Sequence, residues 1–552
     1  MKKHLGYFLI FALVFAFVFR SLLTNITTNL IDWRDYAYVS WVINENINHL
    51  RTLDFQNLFN LNAFYPYTNT LFLSDTLITQ SLIGIPFSFF TKNPILIFNL
   101  TFVTTFFLNY ISVYILFNKL FKNSLLAFAG GLAIVFSPFF YTQMGHFQMQ
   151  NYWPFFLILY LLVKNTSKSY SINEILIGIL LAVQFLASVY LTFFTLVAIS
   201  FFLLIKAFKG LGIKNSAIKL LVIILTFAII DGVFIKGYMD ARKNFAIKRD
   251  LGEYLTYSAK VSDYLFPRQN GIFYQNPIIK KWQSYNKHQY GESASFPGFV
   301  LCGLAILGIV KLGKSKKDFS LHFSAQPTDI FFLTIMLIGF LFSLGYPYIP
   351  FVKYVPFFDT IRGVARWSFL FYLGLTYFSI SFLSKIKTKW VLLSILILLI
   401  ADILPGQFVT FKDSYLNSSD EILRNICSTK KTIVLEVPIT HFDAGTNIAE
   451  GLTYITKKLL ATTYTNCLLV NGYSGYDLPS LLSLKDQFYS NLNSNDPTLL
   501  VDLLKKNQVD ILRVNTDNLS SLNLTSYKNL YGKLSNSDAI TKVDRDVFVI
   551  NE

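Results

Sequence analysis

Two carboxylates three residues apart are the first feature of this chain that could do chemistry. Asp32 and Asp35 flank Arg34 in the segment DWRDY, directly after a long apolar stretch. Carboxylates at positions i and i+3 project from one face of a helix. The pair could therefore share a divalent cation such as Mg²⁺ or Mn²⁺, or one could act as a general base while the other binds substrate. The alternative is that both are solvated residues at a helix end.

Single polar residues also stand at the margins of other apolar stretches. Asp75 heads the apolar segment 71–91, His146 lies among glutamines after another stretch, and Glu292 precedes a third. A carboxylate in such a position needs a partner or water, and an imidazole there could transfer protons or bind phosphate. A lone histidine of this kind is more often a satisfied hydrogen-bonding residue, and Glu292 alone says little. No H-x-x-x-H or H-E-x-x-H spacing occurs, so catalytic zinc is not expected.

Two arginines four residues apart complete the set of candidates. Arg362 and Arg366 lie in FDTIRGVARW, and the i, i+4 spacing places them on one helical face just before an apolar stretch. Their planar guanidinium groups match the oxygens of phosphate or pyrophosphate. The alternative is that they contact bulk lipid phosphate or snorkel. The predicted substrate-binding residues are Asp75, His146, Glu292, Arg362 and Arg366.

The elements that must position these residues are membrane helices. The chain of 552 residues is 53% hydrophobic and only 14% charged, and apolar runs recur along most of it. This composition is typical of a polytopic α-helical membrane protein. A net charge of +16 could suggest nucleic-acid binding, but no basic helix or aromatic and basic platform accompanies it. We therefore expect no nucleic-acid partner.

Six short lysine-rich gaps between the apolar runs predict which side of the membrane each loop faces. They hold 17 basic residues against only Glu174 and Asp318. The gaps are Lys2 and Lys3, Lys119 and Lys122, Lys164 and Lys168, Lys206 through Lys219, Lys311 through Lys317, and Lys385 through Lys389. By the positive-inside rule all six are cytoplasmic, so the loops that carry the candidate residues face outward.

About 20 apolar residues per crossing then predict eleven spans, with a cytoplasmic amino end and an extracytoplasmic C-terminal domain. The spans are 6–28, 94–117, 124–141, 152–164, 172–189, 191–207, 217–236, 296–312, 329–346, 367–384 and 390–406. The segment 71–91 is interrupted by polar residues, glycine and proline, and a crossing there would turn five lysine-rich gaps outward. We expect it to lie in the outer interface or to re-enter the membrane. Long outer loops are expected at 29–93 and 237–295.

Past residue 406 the character of the sequence changes. Short β-rich stretches at 432–439, 510–515 and 546–551, with a helical pattern at 498–506, predict a small extracytoplasmic α/β domain over 407–552. The transmembrane domain is then 1–406. Cys427 and Cys467 could pair in an oxidising compartment or remain buried thiols, and we favour the thiols.

Several motifs, in this order, resemble those of the GT-C fold membrane glycosyltransferases, in particular the bacterial multispan branch akin to the protein mannosyltransferases. They are DWRDY, AFYPY, LSD, NKLFKN, FSPFF with GHFQMQ, GESASFPGF, FDTIRGVARW, LEVPI and LVNGYSGYDLP. The resemblance implies transfer of a sugar from a polyprenyl-phosphate donor at the extracytoplasmic face of a prokaryotic plasma membrane. It further implies that Asp32 or Asp35 is the catalytic carboxylate, and that Arg362 and Arg366 contact phosphate.

The acceptor implied is a glycan, lipid or protein, and membrane lipid surrounds the spans. His146 resembles the polar site in the family's second loop, which is often acidic, and no WWDYG-like signature of oligosaccharyltransferases occurs. One alternative function is a lipid-linked glycan transporter or flippase, which would place ionisable residues mid-membrane in discontinuous helices, with Arg20 and Asp231 as candidates. Another is a non-catalytic membrane protein of the same fold.

Overall fold

The computed structural model of the chain is mostly helical and divides into two compact units. It describes residues 2–551 except 166–168, 170, 246–248, 268–271, 275, 286–291, 293–294, 315–325, 441–447, 476–477, 495, 497, 515–529, 531, 533 and 535–537. Unit 1 comprises Met1–Thr24, Phe102–Val233 and Lys248–Val409, and unit 2 comprises Asn25–Thr101, Phe234–Ile247 and Thr410–Glu552. Parts of the predicted lysine-rich gap at 311–317 and of the predicted strand at 510–515 lie outside the described residues.

Helices occupy all eleven predicted spans. In chain order these helices are Lys2–Val18 with Arg20–Thr24, Pro94–Phe121, Ser124–Val135 with Pro138–Thr142, Trp153–Lys164, Ile172–Ala187, Val189–Lys206, Ile213–Asn244, Phe299–Lys314, Pro327–Ser343, Ser368–Leu383 and Lys389–Ile403. Shorter helices in the same part of the chain are Leu251–Thr256, Pro277–Gln283 and Ile349–Tyr354. The long apolar runs form helices because only a helix satisfies all its backbone hydrogen bonds within one segment of apolar surroundings.

Length and composition single out fewer of these helices as membrane spans. Among the described residues, four are long and apolar enough to cross a membrane, namely Pro94–Phe121, Ser124–Thr142, Val189–Leu211 and Ile213–Asn244. A fifth is possible if Pro327–Ser343 and Tyr346–Tyr354, bent by 107°, count as one broken span. Lys3–Val18, Ile172–Ala187 and Phe299–Leu312 are shorter apolar helices. The exact number of eleven crossings therefore stays a prediction.

Unit 2 joins the first predicted outer loop to the C-terminal part of the chain. Its loop helices are Asp35–Thr52 and Ile78–Ser88. The latter has 11 residues, too few to span a bilayer, in keeping with the expectation for 71–91. Strand β1 (Asn29–Leu30) pairs antiparallel with β2 (Phe411–Lys412). The predicted division at residue 407 stays a prediction, but within unit 2 the loop and the C-terminal part share backbone pairing.

The predicted α/β character of the C-terminal part is present. Strands β3 (Ile433–Val437), β4 (Leu468–Leu469), β5 (Ile511–Val514), β6 (Ile540–Lys542) and β7 (Val547–Ile550) form one sheet in the order β4-β3-β5-β7-β6. β3 is parallel to β4 and β5, whereas β7 is antiparallel to β5 and β6. The accompanying helices are Ser418–Cys427, Ile448–Thr465, Pro479–Asn493 and Thr498–Lys506. Apolar residues of the sheet and the last two helices form its core.

The preference for free thiols at Cys427 and Cys467 was wrong. The two residues form a disulfide with a Cα to Cα distance of 5.3 Å, while Cys302 is free. Sequence could not decide this because the 40-residue separation of the two cysteines says nothing about their distance in space. Disulfides persist mainly in oxidising compartments.

Glu45 is a buried carboxyl in unit 2, on the helix Asp35–Thr52. Asn62 Nδ2 donates a hydrogen bond of 3.1 Å to it. Burial raises the pKa of Glu45 from an ordinary value of 4.5 to about 7, although the bond from Asn62 acts in the opposite direction. The folded protein therefore holds this proton more tightly than the unfolded chain. The stabilisation is fully present below pH 4.5 and is lost as the pH rises through about 7.

We expect Glu45→Gln, which mimics the protonated carboxyl, to stabilise unit 2 at about pH 8 but not at about pH 5. The upper limit of the gain is on the order of 3 kcal/mol. Melting temperatures of the purified protein at the two pH values measure it. Glu421→Gln is the matched control because Glu421 is 59% exposed. If the melting temperatures of Glu45→Gln and wild type change equally with pH, the raised pKa of Glu45 is contradicted.

Candidate functional site

The carboxylate of Glu292 joins two of the predicted site residues in unit 1. Its Oε1 lies 2.8 Å from His146 Nε2, and Arg366 Nε donates to its Oε2 at 2.8 Å. All three side chains are at least three-quarters buried. Because an ionised carboxylate only accepts hydrogen bonds, the ring nitrogen of His146 that faces Glu292 must carry a hydrogen. Residues 146, 292 and 366, far apart in sequence, thus form one hydrogen-bonded cluster.

The electrostatics of Glu292 follow from this arrangement. Burial alone would raise the pKa of its carboxyl. The positive charge of Arg366 and the contact with His146 outweigh burial and hold that pKa well below its usual range. Glu292 is therefore ionised at neutral pH and provides a fixed negative charge between a guanidinium and an imidazole.

Local backbone structure holds His146 in place. It precedes the 3₁₀ turn Phe147–Gln150, and its backbone N–H donates to the carbonyl of Gln143 at 3.0 Å. The buried side chain of Gln150 donates back to the carbonyls of Phe140 and Gln143. These bonds fix the loop that follows the helix Pro138–Thr142 and orient the imidazole.

Tyr190 connects the two arginines. Its hydroxyl accepts hydrogen bonds from the backbone N–H of Arg362 at 3.0 Å and of Gly363 at 3.3 Å. The guanidinium of Arg366 stacks over the Tyr190 ring at 4.8 Å, and that of Arg362 stacks over the Tyr257 ring at 4.7 Å. A flat aromatic support restricts a guanidinium without consuming its hydrogen-bond donors. Both guanidinium groups are thus held in place by aromatic faces.

The helical spacing predicted for the arginines was wrong. Arg362 precedes a 3₁₀ turn, Val364–Trp367, which contains Arg366, and the regular helix begins only at Ser368. Tyr190 contacts the backbone of Arg362 and the guanidinium of Arg366. We term the five residues His146, Tyr190, Glu292, Arg362 and Arg366 the Glu292 cluster.

The predicted carboxylate pair lies in unit 2, where the expected helical face is also wrong. The helix begins at Asp35, so Asp32 precedes it and does not share its face. Asp32 accepts from Nε of Arg34 at 3.0 Å. Asp35 is at the positive end of the helix and accepts from the hydroxyl of Tyr473 at 3.1 Å. The two carboxylates therefore have different partners and different chemical settings.

Asp75, the remaining predicted residue, also lies in unit 2. It follows the 3₁₀ turn Thr70–Leu73 and is partly buried. Burial raises the pKa of the Tyr38 phenol, and the negative charge of Asp75 adds to that effect. Asp75 therefore lies close enough to interact electrostatically with the helix that begins at Asp35.

The structure thus places the seven predicted residues in two groups. His146, Glu292, Arg362 and Arg366 belong to unit 1, and Asp32, Asp35 and Asp75 to unit 2. Among the described residues, no group of three or more His, Cys, Asp or Glu side chains could hold a metal ion. A divalent cation would have to take Asp32 and Asp35 as ligands, but Arg34 already binds the first and Tyr473 the second. This pair does not by itself form a metal site, so we derive no step through a metal.

Sequence reasoning missed the aromatic partners Tyr190, Tyr257 and Tyr473. Tyr190 occupies the single-residue gap between the predicted spans 172–189 and 191–207. That gap is a tight turn on the predicted outer side, and an aromatic residue there was an available signal. No comparable signal marked the other two tyrosines, because tyrosines are frequent in the loops of this chain.

Removal of the Glu292 carboxylate is expected to destabilise unit 1. Glu292→Ala deletes the ion that Arg366 contacts, and breaking a buried ion pair costs about 3 kcal/mol. The melting temperature in detergent measures the loss. Glu253→Ala is the control because Glu253 pairs with Arg249 at 3.2 Å but is 37% exposed, so that pair contributes less than about 1 kcal/mol. Equal losses in the two variants would refute a special role for Glu292.

Solved structures with a similar fold are sugar transferases. The arabinofuranosyltransferase AftD from mycobacteria is 13% identical with a TM-score of 0.59, and the match covers 94% of this chain and 39% of AftD. The archaeal oligosaccharyltransferase AglB from Archaeoglobus fulgidus, solved with an inhibitory peptide and a dolichol-phosphate, is 12% identical with a TM-score of 0.50. That match covers 93% of this chain and 69% of AglB. Both are GT-C glycosyltransferases, so the predicted GT-C fold is confirmed.

These identities establish the fold alone, and the chain spans only about two fifths of the length of AftD. No curated protein sequence matches the chain. One family model does match, over residues 7–404, which is well over half of the sequence. The chain therefore belongs to the family described as a domain of unknown function, DUF6311.

Proposed function

We propose that this protein is a membrane glycosyltransferase that moves a sugar from a polyprenyl-phosphate-linked donor to an acceptor at the extracytoplasmic face. The observation that carries the proposal is the Glu292 cluster in unit 1. There Arg362 and Arg366 are held on tyrosine rings, and Arg366 binds a buried carboxylate that also contacts the imidazole of His146. The GT-C fold and the several apolar helices support the membrane setting and the reaction class.

The Glu292 cluster suits an anionic leaving group. Among Arg362, Arg366 and Glu292, positive charge exceeds negative, so the cluster suits phosphate. Cleavage of a glycosyl phosphate leaves negative charge on the phosphate oxygens, and cations fixed in advance stabilise that charge without reorganisation. Glu292 holds Arg366 and His146 in position, and Arg362 stacks on the Tyr257 ring.

The acceptor hydroxyl needs a base, and we assign that role to Asp35. Asp32 is engaged by the guanidinium of Arg34, whereas Asp35 accepts from the neutral hydroxyl of Tyr473. A carboxylate within hydrogen-bond reach of the acceptor could take its proton as the new glycosidic bond forms. In this proposal Asp32 holds the guanidinium of Arg34 in position. The proposed step uses no metal, and chelation tests separately the divalent cation that the sequence pattern allowed.

The positions of the clustered residues support the proposed sidedness. The loops that hold residues 146, 257, 292 and 362–366 were all predicted to be extracytoplasmic from the lysine pattern. His146, Tyr190, Glu292 and Arg366 contact one another as residues on one side of a membrane must. The disulfide in unit 2 supports an oxidising compartment for the C-terminal part.

A transporter or flippase is the second candidate, and one observation favours it. Asp231 is fully buried in the helix Ile213–Asn244, and neither carboxylate oxygen has a hydrogen-bond partner within the part of the chain described. However, that helix is continuous, whereas the transporter hypothesis expected broken helices at its site. Arg20, the other candidate, is exposed at the start of the short helix Arg20–Thr24. The third alternative, a non-catalytic membrane protein, would have the same fold but would not transfer a sugar.

The direct test is sugar transfer by the purified protein from polyprenyl-phosphate-linked sugars to an extracted cell-envelope acceptor. We expect Arg362→Gln and Asp35→Asn each to lower kcat/KM by about a hundredfold or more. The matched controls Arg424→Gln and Asp486→Asn change exposed residues of unit 2 and should keep full activity. Activity that survives in both test variants would overturn the assigned roles. Loss of activity with EDTA and recovery with Mg²⁺ or Mn²⁺ would establish metal dependence.

Cysteine labelling in a Cys302→Ala background tests which side of the membrane each part of the chain faces. Ser414→Cys places a thiol at an exposed position in unit 2, and Lys387→Cys places one in a predicted cytoplasmic gap. In intact spheroplasts a membrane-impermeant maleimide should label the first and should reach the second only after permeabilisation. The opposite pattern would place the C-terminal domain in the cytoplasm and remove the basis for an outward-facing site.

A further inference from the structure

Unit 2 contains a cavity that plays no part in the donor chemistry proposed above. Its volume is about 430 Å³, which is in the range of small-ligand sites. The walls come from Arg34 after β1, the segment 414–417, the helix Ile448–Thr465, the end of β5, and Asp546 before β7. The cavity lies beside the DWRDY segment, because Arg34 both lines it and binds Asp32.

The cavity occupies the place in the sheet where ligands usually bind. β3 and β5 are parallel neighbours, and Val514, the last residue of β5, lines the cavity. In open α/β sheets, binding sites form outside the carboxyl ends of parallel strands, where loops diverge and leave a crevice. The fold therefore provides a binding position there, independent of the particular side chains.

A buried ionic network reaches the cavity wall through Arg513 and Lys458. Glu436 on β3 is opposite Arg513 on β5, and Arg513 Nε donates to both of its carboxylate oxygens, at 2.8 and 3.0 Å. Arg513 also binds Asp420, which lies 3.7 Å from Lys458. All four side chains are at least nine-tenths buried. Buried charges are costly to assemble, so a network of them beside a cavity marks a candidate functional site.

The charge of the lining argues against a phosphate ligand. The cations that face the cavity already have protein carboxylates, since Asp32 binds Arg34, Asp413 binds Lys457, and Asp420 lies against Lys458 and Arg513. Two further acids, Glu450 and Asp546, also line the cavity. Positive charge is therefore balanced, in contrast to the Glu292 cluster.

The same lining suits a neutral molecule rich in hydroxyl groups. A hydroxyl both donates and accepts, so it can bond to ammonium and carboxylate groups side by side. Glu450, Thr453 and Lys457 project from three successive turns of one helix, and Tyr415 and Tyr454 add ring faces for the apolar side of a sugar. Paired acids and bases beside aromatic rings match the alternating polar and apolar surface of a saccharide.

We propose that this cavity binds a neutral saccharide that forms part of the acceptor. Binding of a saccharide does not depend on the proposed transferase function, whereas its role as acceptor rests on that function. Arg34 places the bound sugar beside Asp35, on the same short segment of unit 2. The cavity then recognises the acceptor, and the Glu292 cluster binds the donor phosphate.

The test measures binding of free glycosides to the full-length protein by saturation-transfer NMR in a sugar-free detergent. The probes are the methyl glycosides of mannose, galactose, glucose, N-acetylglucosamine and arabinofuranose, and inorganic phosphate is the anionic competitor. We expect saturable binding of at least one glycoside that phosphate does not displace. Binding of none of them, or displacement by phosphate, overturns the proposal.

Matched variants assign the binding to the cavity. Glu450→Gln and Lys457→Gln should each weaken it roughly tenfold, the usual effect of losing one charged hydrogen bond. Glu421→Gln and Lys430→Gln, which change exposed residues of unit 2 outside the lining, should leave it intact. Melting temperatures confirm that each variant is folded. Unchanged affinity in both folded cavity variants would show that the sugar binds elsewhere and overturn the proposal.

The acceptor role is tested separately. Asp35→Asn should bind the glycoside as wild type does while losing turnover, and Glu450→Gln should raise the KM for the acceptor with little change in kcat. If wild type binds a glycoside but transfers no sugar, the proposed function fails and the saccharide site stands. If transfer occurs and Glu450→Gln leaves the acceptor KM unchanged, the acceptor role fails and the proposed function stands.

Discussion

The bridge from the Glu292 carboxylate to His146 and Arg366 is the interaction on which the unit 1 site depends. An ion of this kind is stable at low exposure only when its partners are held close, so the three loops that carry these residues must keep their mutual positions. Tyr190 extends the same constraint to Arg362 through its hydroxyl and its ring. The phosphate-binding surface that we propose would then be formed before any ligand arrives, which is the condition for electrostatic stabilisation.

Much of the fold could be predicted because it rests on local properties of the sequence. A long apolar run forms a helix through hydrogen bonds within its own segment, and a helix was found at every predicted span. The stretches at 432–439 and 546–551 became β3 and β7, and the pattern at 498–506 became a helix. The short strands β4 and β6 escaped prediction, since two or three residues carry no periodicity.

The candidate sites were less accessible to sequence reasoning, because proximity across long separations is a tertiary property. His146 and Glu292 were each weak signals alone, and their contact, 146 residues apart, gives them meaning. Spacing misled where it assumed a helix, since Asp32 precedes one and Arg366 lies in a 3₁₀ turn. The cavity in unit 2 had no sequence signature, because its lining is drawn from segments spread over more than 500 residues.

The covalent bond between Cys427 and Cys467 restricts how this protein can be produced. It ties the end of the helix Ser418–Cys427 to the start of β4, in the same unit as the cavity. Chain made by cell-free synthesis in a thiol-containing buffer, or left uninserted in a host cytosol, would lack this cross-link. Preparations intended for biochemistry should therefore come from a host that exports the C-terminal part to an oxidising compartment, and free-thiol titration offers a simple check of their quality.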